Sequence, residues 1–257
     1  MDFSAKSTTD LYSGREADRS WIDLCSTSLS PRGKDIADIG CGGGIYTFVF
    51  ASLRAKSVVG VDKSGPYIRT ANAILNKPTN VYFVVGDALS TGLDSNAYDL
   101  VFERALVHHL SKKEQILNVE EASRILRKDG ILAVQDRTFE DVLDDDPRHW
   151  IRSILFRCFP ELYEFERARR PSEGEYQKIL DSSSLRSQSP IKFSELRKSY
   201  TCLSELKQEI RTRKGKSILF ELTDDQLEFY CEELEKASVG KSLEEIDQWT
   251  LWLAKAH

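Results

Sequence analysis

Apolar positions along this chain gather in short runs separated by longer amphipathic stretches. Four runs, Asp35 to Ile39, Ser57 to Val61, Val81 to Val85 and Tyr98 to Phe102, are each followed by a turn and a helical pattern. Runs that short and continuous suit strands covered on both faces, as in a parallel sheet. A fifth run, Ile131 to Gln135, follows a helix predicted over Ser111 to Lys128, with Ser111 and Glu114 at capping-box spacing and Asp129-Gly130 at its end. Upstream, Ser13 to Cys25 reads as an amphipathic helix with Ser13 and Glu16 at the same spacing.

Past Asp136 the pattern changes. Arg137 to Ser189 mixes charge with bulky aromatics and offers no strand-like run, so it reads as a helical insertion lying over the sheet as a lid rather than building its own core. Thr223 to Lys236 predicts a helix opened by Thr223 and Gln226, Asp247 to Ala254 a final strand, and Ile191 to Leu203 a further strand. The whole predicts a doubly wound, Rossmann-like α/β fold with a mostly parallel sheet. Its parts are a core over 1–136, a lid and acceptor insertion over 137–190, and the last strands and helix of the core over 191–257.

Composition narrows the setting. The chain has 257 residues, is 40% hydrophobic and carries a formal net charge of −5, so no overall cationic field draws it to nucleic acid or anionic lipid. Cys25, Cys41, Cys158, Cys202 and Cys231 stand singly, without zinc-chelating or dithiol spacing, which fits a reduced, cytoplasmic setting. No stretch reaches the roughly 20 apolar residues of a spanning helix. The acidic run Asp144 to Asp146 precedes a proline and reads as a loop rather than a metal site. The basic cluster Arg211, Arg213, Lys214 and Lys216 lies among glutamates without an aromatic platform, so it reads as a solvated helix face.

The segment Ile36 to Gly44 carries the strongest chemical signal: a strand running into Gly40, Gly42, Gly43 and Gly44 before a helix. Glycines there allow positive φ and bring backbone close to a ligand, although tight α/β turns need glycine for steric reasons alone. The next strand ends in Asp62, where a carboxylate can accept both ribose hydroxyls. Capping the helix near Pro66 is the competing role, for which Ser64 is better placed. Ile45 and Thr47 stand where a dinucleotide fingerprint wants its third glycine, and Asp38 beside the turn repels phosphate while suiting a sulfonium with an α-amino group.

The ordered set resembles the class I S-adenosylmethionine-dependent methyltransferases, in their small-molecule, ubiquinone-biosynthesis-like branch. Asp38 to Gly44 is similar to their methionine-binding loop, Val61-Asp62 to the ribose-binding strand end, and Gly86-Asp87-Ala88-Leu89 to the adenine-binding segment. Tyr98 to Phe102, Leu106 to Leu110 and Glu121 to Gly130 resemble the segments that follow. The resemblance implies a seven-stranded sheet and S-adenosylmethionine as cofactor, held by Asp38, Gly40, Cys41, Gly42, Asp62, Lys63, Asp87, Ala88, Glu103 and Arg104. It implies a small-molecule acceptor; RNA, protein or no acceptor at all are the alternatives, and oligomeric state is not encoded in these motifs. The Asn/Asp-Pro-Pro-Tyr/Phe signature of methyltransferases acting on bases or amides is replaced by Phe102-Glu103-Arg104-Ala105. His108 and His109 follow the fourth strand, where either can take an acceptor proton or simply pack beneath the loop. Arg104 can bind an acidic group or pair with Glu103 or Asp87. Arg137, His149 and Trp150 are candidates for the acceptor pocket, with gluing the lid to the sheet as the alternative.

Overall fold

The computed structural model describes residues 18–143 and 146–257, so the expected cap at Ser13 and Glu16 and two of the three acidic loop residues lie outside the described residues. The first described helix, α1 (Arg19–Ser28), opens on Asp18, whose carboxylate accepts from the Ser20 amide at 2.9 Å. Strand β1 (Asp35–Ile39), helix α2 (Ile45–Ser52), strand β2 (Ser57–Asp62), helix α3 (Gly65–Asn72) and strand β3 (Val81–Val85) follow as the pattern predicts. Next come β4 (Tyr98–Arg104), a 3-10 turn over Val107–His109, α4 (Lys112–Ile125) and β5 (Leu126–Asp136). The predicted helix through Lys128 stops at Ile125. Leu126 already pairs with Tyr98 in the sheet, and the chain turns through Asp129 at φ 65° before Ile131 resumes pairing with Leu100.

The sheet runs in the order β3-β2-β1-β4-β5-β8, its first five strands parallel and β8 (Glu244–Lys255) antiparallel to β5. The far edge of β8 is covered by β6 (Arg186–Ser187) and β7 (Ile191–Ser199), which pair with successive parts of it. Counting that interrupted edge as one position gives the seven expected. Alternate residues serve opposite faces. Ile36, Leu100, Phe102 and Ala133 pack with Trp21, Cys25 and Phe50 of α1 and α2. Ala37, Ile39, Val101 and Leu132 pack on the other face with Val119, Ala122 and Ile125 of α4.

One reading of the region after Asp136 needs correction. Helix α8 (Glu173–Asp181) lies over the sheet, where Tyr176 meets Trp252 of β8 edge-on at 4.9 Å between ring centroids. The remaining helices, however, do build a core of their own. Short α5 (Phe139–Val142), α6 (Trp150–Cys158) and α7 (Leu162–Arg169) join α9 (Leu203–Arg211) and α10 (Asp224–Ala237) in one buried apolar cluster. The cap is therefore assembled from two stretches of sequence on either side of β7. Sequence pattern missed this because each stretch alone is rich in charge; the core is completed when Leu206 and Ile210, one helical turn apart, and Leu227, Tyr230 and Leu234, with Leu219 and Leu222, join the first stretch. No described helix is long and apolar enough to cross a membrane.

Leu206 is fully buried at the centre of that cap. Leu206→Ala should cost about 2–5 kcal/mol in urea-induced unfolding followed by circular dichroism. A loss of under about 1 kcal/mol would mean the cap has no cohesive core.

Candidate functional site

Strands β1, β2, β4 and β5 all deliver their carboxyl ends to one edge of the sheet, where open α/β sheets bind ligands. The turn after β1 is fastened to the end of β2 by backbone, the Gly40 and Cys41 amides donating to the Val61 carbonyl at 2.7 and 3.0 Å. Gly40, Gly42 and Gly44 have φ of 73°, 53° and 86°. At Gly44 a Cβ would collide with the Phe83 ring at 2.4 Å, so the bland steric role of glycine applies there. At Gly42 and Gly43 a Cβ would meet no atom within 4 Å; these two face open space in the cavity, and a side chain would fill it.

Asp62 closes the turn. Its Oδ2 accepts from the Gly42 amide at 2.9 Å and its Oδ1 from the Ser64 amide at 2.8 Å, while Ser64 caps α3. The carboxylate is thus aimed rather than consumed, since each oxygen keeps a further lone pair. Burial raises its pKa against those two bonds. Asp38, buried beneath the turn, accepts from the Thr47 hydroxyl at 2.5 Å. Burial first, with repulsion from Asp62 behind it, pushes the Asp38 carboxyl up to about 7. Two crowded carboxyls beside an open glycine face suit a cationic amino acid and repel phosphate, which fits the sulfonium and ammonium groups of S-adenosylmethionine. Cys41, whose thiol burial pushes up, and exposed Lys63 line the same rim.

Asp87 lies exposed at the rim with Oδ1 accepting from the Leu89 amide at 2.9 Å, and the neighbouring Ala88 carbonyl accepts from Asn118 at 3.3 Å. Both line the cavity. Glu103 does not, which corrects its place among the cofactor residues. It is buried under the sheet edge, with Oε1 accepting from Asn118 at 2.9 Å and burial pushing its carboxyl up to about 8. Arg104 does reach the cavity, yet pairs with neither Glu103 nor Asp87. Its Nη2 donates to both oxygens of Glu195 on β7, at 3.0 and 2.8 Å, and its guanidinium lies over the Tyr46 and Trp249 rings at 4.5 and 4.1 Å.

His108 and His109 sit with ring centroids 4.0 Å apart in the turn after β4. His108 is buried, its Nδ1 2.8 and 2.9 Å from the two oxygens of Asp136 and its backbone amide donating to the same carboxylate. Burial lowers the His108 pKa, and Arg170 and Arg169 add to that against the raising effect of Asp136. Asp136 itself is held below the carboxylate range by His108 and Arg170 in spite of its burial. Burial, followed by its histidine neighbour, also lowers the pKa of His109. Asp136 was missed by sequence reasoning, although its position at the end of β5 repeats the signal that singled out Asp62 at the end of β2.

A single cavity of about 840 Å³ connects the glycine turn, the His108–Asp136 pair and the underside of the cap. Arg137 lines it, whereas His149 and Trp150 are buried in the cap outside its lining. The basic cluster divides: Arg211 and Arg213 pair with Glu228 and Asp224, while Lys216, expected on a solvated face, turns inward within 3.0 Å of Glu245 and joins the lining. Among the described residues no group of three or more metal-ligating side chains occurs.

The Asp38 geometry has a thermodynamic sign. A folded pKa above the unfolded value near 3.8 makes the folded state hold the proton more tightly, so stability falls as pH rises from about 4 through about 7. Asp38→Asn, which keeps an acceptor for Thr47, should therefore raise the Tm at pH 8 by about 4 °C or more, with the gain shrinking toward pH 4 in thermal scans. A pH-independent difference would contradict the buried, raised carboxyl.

Comparison with known proteins agrees with this geometry. A family model described as a methyltransferase domain matches residues 37–134. Phosphoethanolamine N-methyltransferase 1 of Caenorhabditis elegans is 29% identical over 135 residues, 48% of this chain and 28% of that protein. A tRNA (carboxymethyluridine(34)-5-O)-methyltransferase of Xenopus tropicalis is 35% identical over 101 residues, 39% of this chain and 15% of that one. The chain thus spans less than a third of either curated relative's length. Among solved structures, a candidate methyltransferase from an antibiotic biosynthesis pathway of Anabaena variabilis superposes with a TM-score of 0.68 at 21% identity, covering 92% of this chain and 98% of that one, which establishes the shared fold. Fold, ordered motifs and the matched domain agree: residues 37–134 are a methyltransferase domain set in the class I methyltransferase fold, which implies S-adenosylmethionine as methyl donor.

Proposed function

We propose that this protein transfers a methyl group from S-adenosylmethionine to a small molecule bound under the helical cap. The observation that carries the reading is the continuity of one cavity from the glycine turn to the His108–Asp136 pair. In this reading Gly40, Cys41, Gly42 and Asp38 receive the amino-acid end of the donor, Asp62 with Lys63 the ribose, and Asp87 with Ala88 the adenine. When bound, S-adenosylmethionine supplies a methyl group already activated by its sulfonium. The chain's own task is alignment and exclusion of water, which the cap performs by closing over the sheet edge.

In this reading His108 takes a proton from the acceptor. Nδ1 is committed to Asp136, which fixes the tautomer and leaves Nε2 as the basic nitrogen. Asp136 then balances the imidazolium that forms, much as a buried carboxylate orients the histidine of other acid–base pairs. The His109 ring lies beside that of His108, tilted by 47° at a centroid distance of 4.0 Å. Oxygen, nitrogen and carbon acceptors remain open to such a site.

Relatives acting on small molecules and on tRNA both match the domain, and the small-molecule reading rests on two features of this chain. The cavity is roofed by the cap, and the surface arginines Arg211 and Arg213 are spent on Glu228 and Asp224 rather than presented to a phosphate backbone.

Asp62→Ala should weaken S-adenosylmethionine binding by about tenfold or more in calorimetry, because it removes a charge-assisted acceptor and the anchor of the Gly42 amide together. Unchanged affinity would remove Asp62 from the ribose role. His108→Gln should lower kcat by about 10²–10⁴ while leaving donor affinity within about twofold. With a lowered histidine pKa the base is neutral, hence competent, down through pH 6.5, so the acid limb of the kcat profile should fall below that value and vanish in the variant. An acid limb that persists in His108→Gln would assign the proton to another group.

A further inference from the structure

The two ends of the cavity carry opposite charge. Among the described residues, Asp38, Asp62, Asp87 and Glu114 near the glycine turn face one cation, Lys63. Beneath the cap the balance reverses, with seven described cationic side chains lining the wall against five carboxylates. Most of those cations are compensated. Arg169 and Arg170 share Glu166, and Arg170 also reaches Asp136 at 3.3 Å; Arg197 and Lys216 share Glu245 and have Glu209 behind it.

Arg137 and Arg152 are compensated less directly. Both donate to one oxygen, Oδ1 of Asp247, while Glu166 and Glu245 act on them at longer range, so among the described residues two guanidiniums with ten N–H groups between them share one directly bonded carboxylate. The crowding is visible on Arg152, whose pKa is lowered first by burial and then by Arg137. Both side chains line the cavity and keep about a fifth of their surface exposed, 19% and 21%. Around them three buried donors have no acceptor among the described residues: Arg137 Nε, Arg104 Nη1 and the Trp249 indole N–H. The Trp249 ring lies against both arginines, its centroid 4.1 Å from the Arg104 guanidinium carbon and 5.3 Å from that of Arg137. An unpaired buried donor costs stability, and a surplus of guanidinium in one wall costs more. Such an arrangement persists where an anionic ligand completes it.

We propose that the methyl acceptor carries an oxyanion, a carboxylate or a phosphate, which seats against Arg137, Arg152 and Trp249 at the cap end of the cavity. This inference rests on the methyltransferase reading of the same cavity. A planar fork of N–H donors fits either oxyanion, and the two sources differ in charge and size. Seating the anion there would turn the remainder of the acceptor toward the glycine turn and His108. The charge reversal along the cavity orients the two ligands: a cationic donor at the acidic end, an anionic acceptor at the basic end.

The test uses the full chain, with inorganic phosphate in one arm and propionate in the other. Each is titrated at constant ionic strength and followed by calorimetry and tryptophan fluorescence, and S-adenosylmethionine affinity is measured in parallel. At least one anion should bind saturably, and Arg137→Gln and Arg152→Gln should each weaken it by about tenfold or more while donor affinity stays within about twofold. Each single variant leaves Asp247 one arginine partner, and thermal unfolding checks that the fold is kept; should one variant fail to fold, the other decides. Phosphate binding alone assigns a phosphorylated acceptor and propionate alone a carboxylic acid. Saturation by neither anion, or binding indifferent to both variants, overturns the inference. If wild-type protein binds an anion but not S-adenosylmethionine, the methyltransferase reading falls instead.

Discussion

One hydrogen bond organises the ligand edge of this molecule. The Gly42 amide donates to the Asp62 carboxylate at 2.9 Å, joining the turn after β1 to the end of β2. A backbone turning with positive φ must place its amides somewhere, and the neighbouring strand offers both a carbonyl at Val61 and a carboxylate at Asp62. The same bond that completes the turn aims the carboxylate into the cavity. Local fold and ligand geometry are thus set by one contact between adjacent parallel strands.

Much of this was readable from sequence because its cause is local. Parallel strands buried on both faces appear as unbroken apolar runs, and Ile36, Val58, Leu100 and their neighbours declare themselves that way. Capping boxes at Ser111–Glu114 and Thr223–Gln226 are pairs of reciprocal bonds within four residues, so their spacing suffices to find them. The turn glycines and Asp62 share this advantage, since a conformational demand and a strand end coincide in a few positions.

What sequence could not show depends on partners far along the chain. The resemblance grouped Glu103 with the cofactor residues, but alternation along β4 turns its side chain under the sheet toward Asn118, while Arg104 beside it reaches the cavity. Arg104 was read as binding an acidic group or pairing with Glu103 or Asp87, and it meets Glu195, 91 residues later, on a strand brought close by the antiparallel edge. Lys216 sits in a basic, apparently solvated stretch, and its inward turn depends on Glu245, which no periodicity links to it. Charge patterns report the surface reliably only when nothing in the fold collects the charges into a cavity.

The cap's composition from two segments has a structural consequence. Its apolar core mixes residues 142–162 with residues 200–234, and β7 runs between those stretches as an edge of the main sheet. Neither half can be excised, exchanged or loosened alone without exposing the other's buried face. Recombination that brings a new roof to this scaffold must carry both pieces in register with the edge strand, so acceptor preference and sheet architecture are inherited together rather than as separable modules.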